Sequence, residues 1–256
     1  MPDNRFDVSD KVVIITGAGQ GIGREYALAF AEAGAKPVLA ELNGDNLQNV
    51  AAEIEAAGGE CLSVETDVGD PDSTSAMVAK TVETYGKIDV LINNAAIFAT
   101  IEKKPFFEIP YDEWNTVLHI NITGSYNCAC AVVPAMKAAG QGRIINISSG
   151  TVPKGAPGFM HYVTSKAAVV GMTRVMAREL GGDNINVNAV MPGYTETEIE
   201  HASMDDAGRE HVNNIRLLKR VETPDDLIGL VMFLSSPASA FITGQSIACC
   251  GGEVML

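Results

Sequence analysis

The turn at residues 17–23 constrains this chain more than any other stretch. Lys11-Val12-Val13-Ile14-Ile15-Thr16 is a short, β-branched apolar run without alternation, the pattern of a strand buried on both faces. It runs into Gly17-Ala18-Gly19-Gln20-Gly21-Ile22-Gly23. A helical segment over 24–33 follows and stops at Gly34, where a glycine can take the left-handed C-cap conformation. Strand, glycine turn and helix in that order let the backbone approach a pyrophosphate, with unpaired N–H groups and the positive end of the helix dipole aimed at it. The placement predicts dinucleotide binding.

The alternation continues. Strands are predicted at 38–41, 61–65, 88–92, 142–149, 185–190 and 245–249, and helices at 46–57, 72–85, from 111 toward 137, up to 180, and after Thr223-Pro224, with Thr223 as N-cap. So regular a pattern implies an α/β fold: one Rossmann-type domain over 1–256, a doubly wound parallel sheet of about seven strands with helices on both faces. No repeat, low-complexity tract or linker divides it. The polar, weakly patterned stretch 198–219 holds no predicted strand, and the region at about 194–219 is expected to cover a site as a lid. Glu41 ends the second strand near the distance at which this fold places a carboxylate on the adenosine ribose. There it would accept from the ribose hydroxyls and repel a 2′-phosphate; with only Arg24 basic nearby, this points to NAD rather than NADP.

The net charge of −14 argues against nucleic acid or an anionic membrane surface as a partner. The first residues lack a signal-peptide pattern and no apolar run approaches the ~20 residues of a membrane span, so a cytoplasmic location is expected. Five cysteines without CxxC spacing give no support for a disulfide framework or metal site; Cys128 and Cys130 should face different sides of a helix, and the Cys249-Cys250 pair reads as packing or as a redox-sensitive pair. His119 reads as an ordinary buried or interface histidine.

Tyr162 and Lys166 stand at i and i+4 in a helical segment, on one face. A fixed cation beside a phenol favours the phenolate and lowers its pKa toward neutrality. The strand before them ends in Ser148-Ser149, at the sheet edge where ligands bind in open α/β folds. Asn121, in mid-helix, competes for backbone hydrogen bonds and suggests a kink.

Taken together, Thr16-Gly17, Gly21-Ile22-Gly23, Asp67, Asn93-Asn94-Ala95, Asn121, Ser149, Tyr162 with Lys166, and Pro192-Gly193 followed by Thr197 resemble, in order and spacing, the markers of the short-chain dehydrogenase/reductase family over essentially the whole chain. The resemblance implies a catalytic set of Asn121, Ser149, Tyr162 and Lys166. In it Tyr162 is the acid/base, Ser149 steadies the substrate oxygen, and Lys166 holds the nicotinamide ribose and depresses the Tyr162 pKa, helped by the positive nicotinamide. Asn121 bends its helix and anchors a water. The cofactor is implied to meet Gly17, Gln20, Gly21, Ile22, Gly23, Glu41, Asp67, Val68, Asn94, Ala95, Pro192, Gly193, Thr195 and Thr197, besides Tyr162 and Lys166. Relatives assemble as homotetramers, and Ala96, Thr195 and Cys250 depart from the family pattern.

Ile97, Phe98, Thr151, Val152, Phe159, Met160 and Tyr194 are candidate substrate-pocket residues. Most are apolar or aromatic, which favours reversible oxidation of a hydrophobic secondary alcohol to its ketone, with no metal. One alternative is a 3-oxoacyl-acyl-carrier-protein reductase, although Gly140 and Asp183 stand where such enzymes carry basic residues to dock an acidic carrier. A non-catalytic NAD-binding regulator is the other, and it would show a broken catalytic set; this set is intact.

Overall fold

The structure is a computed structural model that describes residues 4–256; residues 1–3, part of the N-terminal stretch read for a signal peptide, lie outside the described residues. Strands β1 (Val12–Thr16), β2 (Lys36–Glu41), β3 (Leu62–Glu65), β4 (Val90–Asn93), β5 (Gly142–Ile147), β6 (Ile185–Pro192) and β7 (Ser246–Cys249) form one 7-stranded sheet in the order β3-β2-β1-β4-β5-β6-β7. All neighbours are parallel. Chain order reverses between β1 and β4, which opens a crevice at their carboxyl ends.

Helices α1 (Gly21–Glu32), α2 (Gly44–Ala56), α3 (Pro71–Tyr85), α4 (Tyr111–Leu118), α5 (Ser125–Ala139), α6 (Thr151–Lys154), α7 (Met160–Leu180), α8 (Asp206–Ile215) and α9 (Asp225–Ser235) cover both faces. Val13, Ile15, Leu39 and Ile92 pack on one face with Tyr26 and Phe30 of α1 and Leu227 and Val231 of α9. Val12, Ile14, Leu91 and Val187 pack on the other with Met77 of α3, Val132 and Met136 of α5 and Leu180 of α7. Every residue of β1 is buried, which is why its sequence shows no alternation.

Four expectations change in detail. The helix predicted from 111 toward 137 is broken by a π-helical turn, His119–Gly124, between α4 and α5, so the kink inferred from Asn121 is a local widening of the helix. Helix α8 rises from the polar stretch 198–219, started by the Asp205 side chain, which accepts from Gly208 N at 2.8 Å. Thr223 does not cap α9 with its hydroxyl; its N–H donates to Asp226 Oδ2 at 3.0 Å, and that carboxylate also holds Arg220. His119 is exposed rather than buried. Cys128 is buried and Cys130 exposed, on different sides of α5 as expected, and all five cysteines are free. Among the described residues no helix is long and apolar enough to cross a membrane, and no group of three metal-ligating side chains occurs.

Candidate active site

The crevice between the carboxyl ends of β1 and β4 is a cavity of about 640 Å³. Its floor is the glycine turn. Gly17 adopts a φ of +65°, a region that disfavours residues with a Cβ, and its turn is pinned by Asn94, whose Nδ2 donates to Thr16 O at 3.0 Å and Gly17 O at 3.3 Å. At Gly23 a Cβ would lie 2.0 Å from Gly17 O and 2.6 Å from Asn94 Nδ2, so only glycine lets α1 start this close to the end of β1. The turn leaves backbone N–H groups facing the cavity, and carboxylates already answer two of them: Gly19 N donates to Glu41 Oε2 at 3.1 Å, and Gly21 N donates to Glu198 Oε1 at 2.7 Å. A carboxylate on the first N–H of α1 shows that this helix end holds an anion.

Glu41 closes the far end of the cavity, beside Leu42, Asp67 and Val68. Its other oxygen accepts from Asn43 N at 3.0 Å. Arg24, the one basic residue near this turn in sequence, is held by Glu25 and Glu53 on the outer side of α1 and α2.

At the opposite end Ser149, Tyr162 and Lys166 meet, exposed by only 7%, 7% and 3%. Tyr162 and Lys166 lie on the buried face of α7, and Lys166 Nζ donates to Ile147 O at 2.8 Å and sits 5.8 Å from the Tyr162 ring centre. Ser149 Oγ accepts from Thr151 N at 3.1 Å and lies 3.0 Å from Thr151 Oγ1, so α6 fixes the hydroxyl. The chain's own groups do not lower the Tyr162 pKa as expected from Lys166. Burial pushes the phenol up to about 12, against a smaller pull from the Ser149 hydroxyl, while burial brings Lys166 down to about 8.

All the residues predicted to meet the cofactor line this one cavity, as do Ile97, Phe98, Thr151, Phe159 and Tyr194. Met160 does not. It is the first residue of α7, 44% exposed, and faces away from the cavity. Val152 borders a separate groove between α7 and β7. Asn121 is fully buried outside the cavity lining: its Oδ1 accepts from Ile97 N at 2.8 Å, and its Nδ2 donates to Ile97 O at 3.2 Å and Ser165 Oγ at 3.0 Å. Its amide therefore fixes the loop after β4 and the helix of Tyr162.

Sequence reasoning did not find Lys103, which also lines the cavity, and it reached His201, Met204 and Val212 only as part of the expected lid, not as individual residues. His201 packs at a tilt against Phe98 and edge-on to Tyr194, with ring centres at 5.3 and 5.5 Å, and Phe98 in turn lies 4.3 Å from the Tyr162 ring. Lys103, His201 and Met204 come from loops and Val212 from α8, and their contact with the site is purely tertiary. Only the ring content of 98, 159 and 194 was a usable signal.

A protein-family model described as enoyl-(acyl carrier protein) reductase matches residues 17–253. A short chain dehydrogenase/reductase of Aspergillus oryzae is 36% identical over 251 residues, covering 96% of this chain and 95% of that protein. The chain belongs to the short-chain dehydrogenase/reductase family. A 3-oxoacyl-acyl-carrier-protein reductase of Thermotoga maritima is 37% identical over 245 residues, 96% of this chain and 98% of the relative. Among solved structures, a 7α-hydroxysteroid dehydrogenase complexed with NADH and 7-oxo glycochenodeoxycholic acid superposes with a TM-score of 0.93 at 31% identity, covering 100% of this chain and 99% of that one. This chain is therefore an oxidoreductase, and its family works with a nicotinamide dinucleotide.

Proposed function

We propose that this oxidoreductase uses NAD to oxidise, reversibly, a hydrophobic secondary alcohol to its ketone. The observation that carries the reading is one cavity with an anion-holding glycine turn and Glu41 at one end and Ser149, Tyr162 and Lys166 buried together at the other. The residues present fit a dinucleotide: the N–H groups of the turn would take the pyrophosphate, Glu41 the adenosine ribose, Lys166 the second ribose, and the turn from Gly193 to Thr195 the nicotinamide side. Bound NAD would supply the hydride acceptor. With Arg24 held by two carboxylates, no free cation stands at Glu41 for a 2′-phosphate among the described residues, which supports NAD over NADP.

Ser149 would donate its hydroxyl hydrogen to the substrate oxygen, and Tyr162 would take the hydroxyl proton of the alcohol. With the Tyr162 phenol at about 12 and Lys166 at about 8, burial holds both groups toward their neutral forms. At about 8 the Lys166 amine is still largely protonated at neutral pH, so its charge, together with that of an oxidised cofactor, would favour the phenolate. Asn121 would serve as a positioning residue through Ile97 and Ser165.

Phe98, Phe159, Tyr194 and His201 make the substrate end aromatic, which favours an apolar, ring-bearing alcohol. Residues at about 194–219 act in this reading as a lid, since Ile199, His201, Met204 and Val212 reach the cavity from that stretch. Exposed Phe107, Tyr111 and Tyr126 near α4 and α5 support a homotetramer, which sedimentation tests.

The Thermotoga relative favours a second reading, reduction of a 3-oxoacyl thioester. Against it, Gly140 carries no side chain, and Asp183 binds Lys137 at 2.7 Å, so neither position offers a cation to an acidic carrier. A panel of secondary alcohols, polyols and 3-hydroxyacyl thioesters, followed by NADH absorbance, separates the two. Activity confined to the thioesters would replace the first reading with the second, and a kcat/KM ratio for NAD over NADP below one would refute the role given to Glu41.

A further inference from the structure

Behind the turn that follows β6 lie charged side chains that the proposed chemistry does not use. Arg216 is 1% exposed, Glu222 4%, and the Glu253 side chain 0%. Burying charge is costly unless the ions are paired and hydrogen-bonded, so so dense a cluster is a weak means of stabilising the fold. Arg216 Nη2 pairs with Glu222 Oε2 at 3.2 Å, and Glu253 Oε1 pairs with Lys154 Nζ at 2.6 Å, which leaves two positive and two negative groups in balance.

The cluster is bonded to three consecutive residues of one turn. Glu222 Oε1 accepts from Gly193 N at 3.1 Å and from Thr195 Oγ1 at 2.8 Å, while Arg216 Nη2 donates to Tyr194 O. Glu196 N adds a backbone bond to Glu222 O at 2.8 Å. The groups converge under Gly193: a Cβ there would lie 2.6 Å from Glu222 Oε2 and 3.0 Å from both Arg216 Nη2 and Glu253 Oε2. Leu217 N and Leu218 N donate to Gly251 O at 3.0 and 2.9 Å, so the end of the 194–219 stretch, the turn after β6 and the C-terminal turn are tied into one piece. Gly193, Tyr194 and Thr195 all line the cavity, at the end that holds Ser149 and Tyr162, whereas Glu41, Asp67 and Val68 lie at the other.

We propose that Arg216, Glu222 and Glu253 are positioning residues that set the depth and angle of the turn from Gly193 to Thr195, and through it the grip on the nicotinamide end of the dinucleotide, with no part in holding the adenosine end. The inference rests on the NAD reading above. A unit with only a structural role would weaken both ends of the cofactor together or neither.

Titration with NADH and with ADP-ribose, which keeps the adenosine and pyrophosphate but lacks nicotinamide, tells these apart. Glu222→Ala removes an ionised acceptor of two bonds and weakens NADH about tenfold. ADP-ribose binding stays unchanged. Glu222→Gln keeps an amide oxygen for both bonds but gives up the charge paired with Arg216, and recovers part of the NADH affinity. Equal weakening of both ligands, or undiminished NADH binding, overturns the proposal. If Glu222→Ala does not fold, Arg216→Lys, which keeps the charge but loses the fork to Tyr194 O and Glu222, is read by the same two titrations. A wild-type protein that binds neither ligand would remove the NAD reading itself, a result distinct from any difference between the two ligands.

Discussion

The carboxylate on the first N–H of α1 makes a quantitative prediction. Glu198 Oε1 accepts from Gly21 N at 2.7 Å, on the same helix end that the proposed pyrophosphate would use, so the anion has to displace it. A carboxylate at a helix N-terminus is worth about 0.3–1 kcal/mol and a net hydrogen bond about 0.5–1.5 kcal/mol; Glu198 is exposed, so the lower part of the combined range applies, about 1 kcal/mol. Removing the competitor in Glu198→Ala should therefore tighten NADH binding about fivefold, since about 1.4 kcal/mol is a factor of ten. ADP-ribose should tighten by the same factor, because it carries the same pyrophosphate. Glu198→Gln keeps a neutral acceptor for Gly21 N and should fall between wild type and Glu198→Ala. NADH fluorescence titrations at low and at high salt measure this, and the advantage of the variants should shrink as salt screens the carboxylate. Unchanged or weaker binding in Glu198→Ala would show that Glu198 does not compete for the helix end, and the placement of the pyrophosphate there would fall with it.

Three further outcomes are expected. Tyr162→Phe should lower kcat at least about a hundredfold, as loss of a general acid/base does, while NADH still binds; a variant that keeps most of its kcat would sink the role of Tyr162. Phe98→Ala removes ring contacts to Phe159, Tyr162 and His201 and should raise KM for apolar alcohols about tenfold without altering NADH affinity. An equal effect on NADH affinity would move Phe98 out of the substrate end. The folded Lys166 titrates at about 8 and its unfolded form near 10.5, so between those values the unfolded chain binds more protons and stability rises with pH. Lys166→Met should abolish that rise, which thermal unfolding between pH 7.5 and pH 9.5 measures; a slope that survives the substitution would assign it to another group.

The sheet was legible because β1 and β4 are buried on both faces and carry near-continuous apolar runs of the kind a parallel sheet demands. Ser149, Tyr162 and Lys166 were legible for a related reason: a residue at the carboxyl end of a strand, or at i and i+4 of the next helix, has its direction set by local geometry. What failed depended on neighbours far along the chain. Met160 precedes Tyr162 by two residues, yet a helix turns it to solvent at the first position of α7. Asn121 was read correctly as a break in its helix, but the partners of its amide, Ile97 and Ser165, lie 24 and 44 residues away. Helix α8 was hidden by polar composition and by Gly208 in its first turn, although Asp205 is a recognisable N-cap. Nothing in the local sequence pattern marks Glu222 and Arg216 as buried, and only the turn they enclose makes them so.

The stretch between Thr195 and Glu222 therefore touches the cavity at two chemically different places. At its start Glu198 offers a negative charge to the helix end where an anion would bind, a contact that opposes the cofactor. At its finish Glu222 and Arg216 hold Gly193, Tyr194 and Thr195 from behind, a contact that the cofactor leaves intact. In the proposed placement the first contact would have to break for the pyrophosphate to enter, whereas the second would tie the same stretch to β6 throughout. Opening would then pivot near Glu222, where the isolated bridge from Thr195 to Glu222 already joins the two backbones, and the moving part would be the segment that carries His201 and Met204. Changes at Glu198 should then act on every ligand with a pyrophosphate, and changes at Glu222 only on those with a nicotinamide. That difference follows from which end of the stretch is displaced by the cofactor and which end anchors it.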